Sequence, residues 1–271
     1  MTHSLGTALV TGASSGIGAV YADRLAKRGY DLILVARNGE KLKSLANRLT
    51  SETARSVKVL PADLGDKAAL AKVEAVLRDD KSIIMLVNNA GTAALTPLVN
   101  SNVDKMEAMI TLNVTALTRL TYAVAPAFVA RGAGTIINIG SVVGISPERL
   151  NGVYGAGKAY VLALTHSLQH ELADKGVRVQ AVLPAATATD IWEKGGFHHS
   201  KLQPGTVMST EDMVDAALIG LDQGEVVTIP PLQDGDDWTR LDAARLALAP
   251  KFGNSAPAPR YRIAEPARKT A

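Results

Sequence analysis

Seven short apolar runs alternate with helix-length segments, and no other feature constrains the fold of this chain so much. The runs are TALVT (7–11), DLILVA (31–36), VKVLP (57–61), IIMLVN (83–88), TIINIG (135–140), VRVQAVLP (177–184) and EVVTIP (225–230). They carry Val, Ile and Leu on both faces, as strands covered from two sides must. Helical periods fill the intervals near 16–28, 39–54, 66–79, 103–131, 153–175 and 210–223. Strand–helix–strand in repetition predicts a parallel sheet with right-handed crossovers. The expected fold is α/β: a doubly wound, mostly parallel sheet of about seven strands with helices on both faces. A chain of 271 residues is long enough to bury such a core. No linker divides it, so one domain is expected over 1–250, with a Pro/Ala/Arg tail at 251–271. The polar stretch 186–209 follows a strand and is long enough to be a lid or substrate loop.

Several function classes fall away. The net charge is only +3, and no Lys/Arg run or aromatic-interleaved basic stripe marks a nucleic-acid surface. With no cysteine, disulfides, thiolate metal sites and Cys nucleophiles are excluded. No segment has membrane-like character over the ~18 residues a span needs, and no leader is evident, so the expected location is cytoplasmic. His166 and His170 have an i, i+4 spacing but no third ligand, so no metal site is expected. His198 and His199 read as loop residues. Asp234, Asp236 and Asp237 read as a solvated turn that caps a helix.

The first strand runs into TGASSGIG (11–18), which opens the first helix. Gly12 permits the tight turn, and Gly16 and Gly18 let backbone amides approach a pyrophosphate at the helix N-terminus and let the helix pack on the sheet. Strand before and helix after give the glycine pattern the context of a dinucleotide-binding Rossmann unit. About 20 residues on, such a unit specific for NAD carries an acid for the ribose 2′-hydroxyl. Here Ala36 and Arg37 stand at that strand end. A guanidinium without a carboxylate favours a 2′-phosphate, hence NADP(H). Ser14 and Ser15 can add hydroxyl bonds to the same phosphate.

Farther along, VYGAGKAYV (153–161) places Tyr154 and Lys158 one turn apart on one helix face. Free tyrosine titrates near 10, and a neighbouring ammonium lowers that value. With Asn113 and Ser141, these residues resemble the catalytic tetrad of the short-chain dehydrogenase/reductase family. TGASSGIG, ADL (62–64) and NNAG (88–91) extend the resemblance over residues 7 to about 230. The resemblance implies that Asp63 accepts from the adenine amino group beside Leu64. It implies that Asn89, Ala90 and Gly91 border the ribose, and that Gly12, Ser14, Ser15, Gly16, Ile17, Gly18 and Arg37 hold the phosphates. It assigns Pro184, Thr187 and Thr189 to the nicotinamide end, although Pro184-Ala185 stands where Pro-Gly is usual. Tyr154 is then the general acid/base, and Lys158 lowers its pKa and holds the ribose. Ser141 polarises the carbonyl, and Asn113 supports a proton relay that requires a distorted helix. Gly155 and Gly157 are expected to admit the cofactor and the facing strand. The implied activity is that of an NADP(H)-dependent oxidoreductase acting on a small-molecule ketone, aldehyde or secondary alcohol. The alternatives are a 3-oxoacyl thioester reductase and an NADP(H)-binding sensor on the same fold. The implied assembly is a homodimer or homotetramer built on segments 103–131 and 153–175.

Overall fold

The computed structural model describes residues 4–190 and 205–261, so His198 and His199, part of the expected lid and the end of the tail lie outside the described residues. The chain packs as two compact units, Met1–Pro231 and Leu232–Ala271. The division therefore falls at Pro231, ahead of the boundary at 250 expected from composition.

In the first unit seven strands make one sheet, parallel throughout. They are β1 (Thr7–Thr11), β2 (Asp31–Ala36), β3 (Val57–Pro61), β4 (Ile83–Asn88), β5 (Gly134–Ile139), β6 (Val177–Val182) and β7 (Val227–Thr228), in the spatial order β3-β2-β1-β4-β5-β6-β7. The helices are α1 (Gly16–Lys27), α2 (Gly39–Thr53), α3 (Lys67–Asp79), α4 (Val103–Ile110), α5 (Leu117–Arg131), α6 (Gly152–Leu172) and α7 (Thr210–Asp222). Successive strand residues point to opposite faces. Val10 accordingly joins the core beneath α1, α2 and α7, with Leu25, Leu42 and Met213. Leu9 joins the core beneath α3, α5 and α6, with Leu77, Phe128 and Leu168. From β1 the chain steps outward to β3, then returns to β4 beside β1 and steps outward the other way. Strand order reverses between β1 and β4, and in open α/β sheets ligands bind beyond the carboxyl ends of the strands at that point. The second unit carries α8 (Gly235–Leu246), capped by the Asp234 side chain on the Asp236 amide, as expected. Among the described residues no helix is long and apolar enough to cross a membrane, and no group of three His, Cys, Asp or Glu could hold a metal ion.

One ion cluster ties α1, α2 and α7 together. The nearly buried Asp23 carboxylate accepts from Arg24 (2.7 Å), Lys27 (2.8 Å) and Arg48 (3.1 Å), and Arg24 also reaches Asp215 at 2.7 Å. Burial pushes the Asp23 carboxyl up, but the hydrogen bonds from the three cations outweigh it and hold the group below the usual carboxylate range. A depressed carboxylate stabilises the fold above its ordinary range and loses that contribution as pH falls through the folded value. Asp23→Asn should cost about 1–2 kcal/mol of stability, because the cations it strands remain partly hydrated. Denaturant unfolding at neutral pH tests this, and an unchanged midpoint would assign the cluster no net worth.

Candidate active site

A cleft of about 390 Å³ lies at the switch point. It is lined by Gly12, Ser14, Ser15, Gly16, Ile17, Arg37, Asp63, Leu64, Asn89, Ala90, Gly91 and Thr189, which the motifs assigned to the cofactor. Gly18, Pro184, Thr187, Tyr154 and Lys158 were expected on the same surface and do not line this cleft. Gly18 serves the close packing also expected of it: a Cβ there would stand 2.4 Å from the Gly12 carbonyl oxygen. The Pro184 carbonyl accepts from the Ser141 hydroxyl at 3.2 Å, and Thr187 is buried with its hydroxyl donating to the Ala185 carbonyl at 3.3 Å.

The TGASSGIG and NNAG segments are knitted into one floor. The Thr11 hydroxyl donates to the Val87 carbonyl and accepts from the amides of Asn89 (2.9 Å) and Ala90 (3.0 Å). The Asn89 side chain returns a bond to the Thr11 carbonyl at 2.8 Å. Above this floor, α1 begins at Ser15 without a side-chain cap, whereas α2, α3, α4, α6 and α7 are capped by Asn38, Asp66, Asn102, Asn151 and Ser209. The first-turn amides of α1 thus face the cleft with no side chain competing for them, which suits a pyrophosphate.

At the β2 end the cleft meets Ala36, Arg37, Asn38 and Lys41. Arg37 is 71% exposed and stands 4.0 Å from Asp63, a loose pair across the slot. Lys41 is a functional candidate that the motif reading passed over. Asn38 caps α2 through the Lys41 amide at 2.9 Å, which sets Lys41 in the first turn beside Arg37. The available signal was an Asn N-cap immediately after Arg37, which starts a helix there and turns its first Lys toward the strand end.

On the other side of the switch point three predicted residues meet. Ser141 follows β5, and Tyr154 and Lys158 lie in the first two turns of α6; all three are buried. The Ser141 hydroxyl faces the Tyr154 phenol and opposes the effect of burial on it. The Lys158 Nζ donates to the Ile139 carbonyl at 2.8 Å and sits 5.8 Å from the centre of the Tyr154 ring. Asn113 lies in a π-helical stretch, Thr111–Ala116, which is the local distortion that its assignment required. Its side chain is clasped by Thr92: Oδ1 accepts from the Thr92 amide (2.9 Å) and Nδ2 donates to the Thr92 carbonyl (2.8 Å).

Two expectations change here. Gly155 faces neither strand nor cleft but the turn at Pro147, where an added Cβ would approach to 3.0 Å, and Gly157 faces Val114 of the π stretch. The electrostatics also differ from a lysine that depresses its tyrosine. Burial pushes the Tyr154 hydroxyl up to about 12, with the Ser141 hydroxyl opposing, and burial pulls Lys158 down to about 8. Both groups have left water, and desolvation favours the neutral form of each more than their separation favours the ion pair.

The lysine shift has a measurable consequence. Because its folded value, about 8, lies below its ordinary 10.5, the unfolded chain binds more protons between those limits, and stability rises with pH across that window. Tyr154 does the reverse between about 10 and 12. Relative to Lys158→Met, the wild type should gain on the order of 3 kcal/mol across the lysine window. Urea unfolding of both proteins across that range measures the difference, and parallel curves would contradict a lysine whose charged form burial disfavours.

Comparison with known proteins agrees with this geometry. The short chain dehydrogenase family model matches residues 6–196. An uncharacterised oxidoreductase of Staphylococcus epidermidis is 33% identical over 223 residues, covering 82% of this chain and 93% of the relative. A very-long-chain 3-oxoacyl-CoA reductase of Anas platyrhynchos is 36% identical over 187 residues, 67% of this chain and 60% of that protein. Among solved structures, a short-chain dehydrogenase from Sphingobium yanoikuyae in complex with NADPH is 51% identical with a TM-score of 0.93, covering 95% of this chain and all (100%) of that one. A bulky-bulky ketone specific alcohol dehydrogenase from Comamonas testosteroni is 47% identical with a TM-score of 0.88, covering 96% and 99%.

Proposed function

The chain belongs to the short-chain dehydrogenase family, and from that premise we propose that it is an NADP(H)-dependent ketone reductase and alcohol dehydrogenase. The observation that carries this reading is the buried meeting of Ser141, Tyr154 and Lys158 beside a cleft whose β2 end carries Arg37 and Lys41. A pure sensor of NADP(H) would have no use for a tyrosine hydroxyl and an ammonium removed from water side by side, since burying them costs stability.

The uncapped α1 amides, the small Ala36 and the two cations fit a dinucleotide with a 2′-phosphate. When bound, its nicotinamide supplies or takes the hydride. This chain does the rest. The Ser141 hydroxyl turns from the Pro184 carbonyl to donate to the substrate carbonyl oxygen and polarises it. Tyr154, protonated at neutral pH, gives its phenolic proton to the developing alkoxide. Lys158, held on the Ile139 carbonyl, keeps two further donors for the ribose and for stabilising the tyrosinate once it forms. The Asn113 helix supports the route by which Tyr154 is reprotonated. In alcohol oxidation the same proton returns to the tyrosinate.

Ala93, Ala94, Met106, Met109, Val143 and Val153 pack in the apolar cluster that contains Tyr154. Those side chains, and similarity to the Comamonas testosteroni enzyme, support a ketone with apolar substituents on both sides of the carbonyl. NADPH oxidation should be followed over small ketones, ketones bulky on both sides, aldehydes, 3-oxoacyl thioesters and quinones. Turnover greatest with the bulky ketones is expected. A preference for thioesters would shift the reading to the acyl reductase. Tight NADPH binding with no turnover of any class would favour the sensor.

A further inference from the structure

Among the described residues, five helices of the first unit have an Asn, Asp or Ser cap whose side chain bonds the first turn, and one of them does something more. Asn38, Asp66, Asn102 and Ser209 are caps whose bonds are exposed and run only to their own helices. Asn151, which caps α6, is 4% exposed. Its Oδ1 accepts from the Val153 amide at 3.0 Å and from the amide of Tyr154 itself at 3.3 Å. Its Nδ2 donates to the Thr96 carbonyl at 2.6 Å, in the segment that leads from β4 to α4. That segment is also gripped at Thr92 by the Asn113 side chain. Between the two grips, Ala93 and Ala94 pack in the cluster around Tyr154. The stretch Thr92–Thr96 is therefore a strap fastened by one asparagine to the π stretch and by another to the start of α6.

A cap alone would need only the acceptor oxygen. The amide nitrogen would be superfluous, and the bond it makes is the short one. We infer that Asn151 is a positioning residue for Tyr154: it fixes the tyrosine's backbone to the Thr92–Thr96 strap, and through the strap to the Asn113 helix. Proton transfer tolerates little displacement of its donor, so a tyrosine that carries its own anchor one turn upstream keeps its hydroxyl on the substrate oxygen. The inference rests on Tyr154 as the proton donor.

Asn151→Ala removes both bonds, and Asn151→Ser keeps a capping oxygen on a side chain too short to span to Thr96. Both are compared with wild type and with Tyr154→Phe for kcat, KM, NADPH affinity and melting temperature. The expected result is a kcat lowered at least about tenfold in the Ser and Ala variants alike, with KM and NADPH affinity within about threefold of wild type. The Ser variant, which keeps the cap, should melt close to wild type, so its loss of kcat separates positioning from folding. A Ser variant with wild-type kcat would overturn the inference, as would a loss confined to KM or to melting temperature. A Tyr154→Phe enzyme that still turned over would remove the proton donor from the reading, and the positioning role with it. An inactive Phe variant beside unimpaired Asn151 variants would overturn the positioning role alone.

Discussion

Tyr154→Phe is expected to lower kcat at least ~10²-fold, the scale on which a positioned acid or base contributes. The change deletes one oxygen from a buried ring and leaves the cleft at the β1–β4 switch point untouched, since Tyr154 does not line it. NADPH affinity should therefore persist while turnover collapses. Stability should hold as well, because the hydroxyl is buried and stays neutral, so its removal strands no charge. The pH profile adds a second signature. With the tyrosine pushed up to about 12, the acid stays protonated through the neutral range, so reduction is not limited by its ionisation. Oxidation needs the tyrosinate, and its rate should climb with pH well past neutrality. Steady-state kinetics in both directions, with NADPH titration on the Phe variant, check each part. Turnover near the wild-type rate would defeat the assignment, and joint loss of binding and turnover would point to misfolding.

The strands and helices were legible because periodicity and burial agree: runs apolar on both faces became strands covered on both sides, and β1 is buried along its whole length. The glycine turn that lines the cleft and the meeting of Ser141, Tyr154 and Lys158 were legible as spacing. Spacing does not report dielectric. An i, i+4 pair places an ammonium near a tyrosine, but burial of both decides that desolvation dominates, and burial is a property of the assembled layers. Lys41 was hidden for a similar reason: on its own helix it reads as one polar residue among several, and only the register of α2 against β2 brings it to Arg37. Asn151 was not singled out, and its reach to Thr96 depends on where a segment fifty-odd residues earlier is laid down. The unit boundary had a local sign in Pro230-Pro231, which cannot continue a strand pairing, and composition further along outweighed it.

The proposed preference for NADP(H) rests on charge at the β2 end. Arg37→Ala should weaken NADPH binding ~10- to 100-fold, because a charge-assisted hydrogen bond contributes ~1.5–3 kcal/mol and ~1.4 kcal/mol is a tenfold ratio. NADH, which has no 2′-phosphate, should lose little. Ala36 supplies no carboxylate to repel the phosphate or to hold a 2′-hydroxyl, so the wild type has nothing to reward NADH in return. The Asp63 carboxylate 4.0 Å from Arg37 is a mild competitor for the guanidinium; both are well exposed, and such a pair holds Arg37 by at most ~1 kcal/mol. Releasing it toward a dianionic phosphate is therefore favourable. Lys41, a point charge on a flexible stem, should contribute less than the planar guanidinium, so Lys41→Ala falls between wild type and Arg37→Ala. Because the cations are exposed, raising salt from ~0.05 to ~0.5 M should narrow the NADPH/NADH gap. Fluorescence titration of both cofactors into wild type and the two variants measures all of this. Equal affinities in the wild type would defeat the NADP(H) assignment. An Arg37→Ala variant that lost both cofactors alike would show that the guanidinium serves the adenosine common to them, by packing on the ring, and the preference would then have to come from Lys41, Ser14 and Ser15.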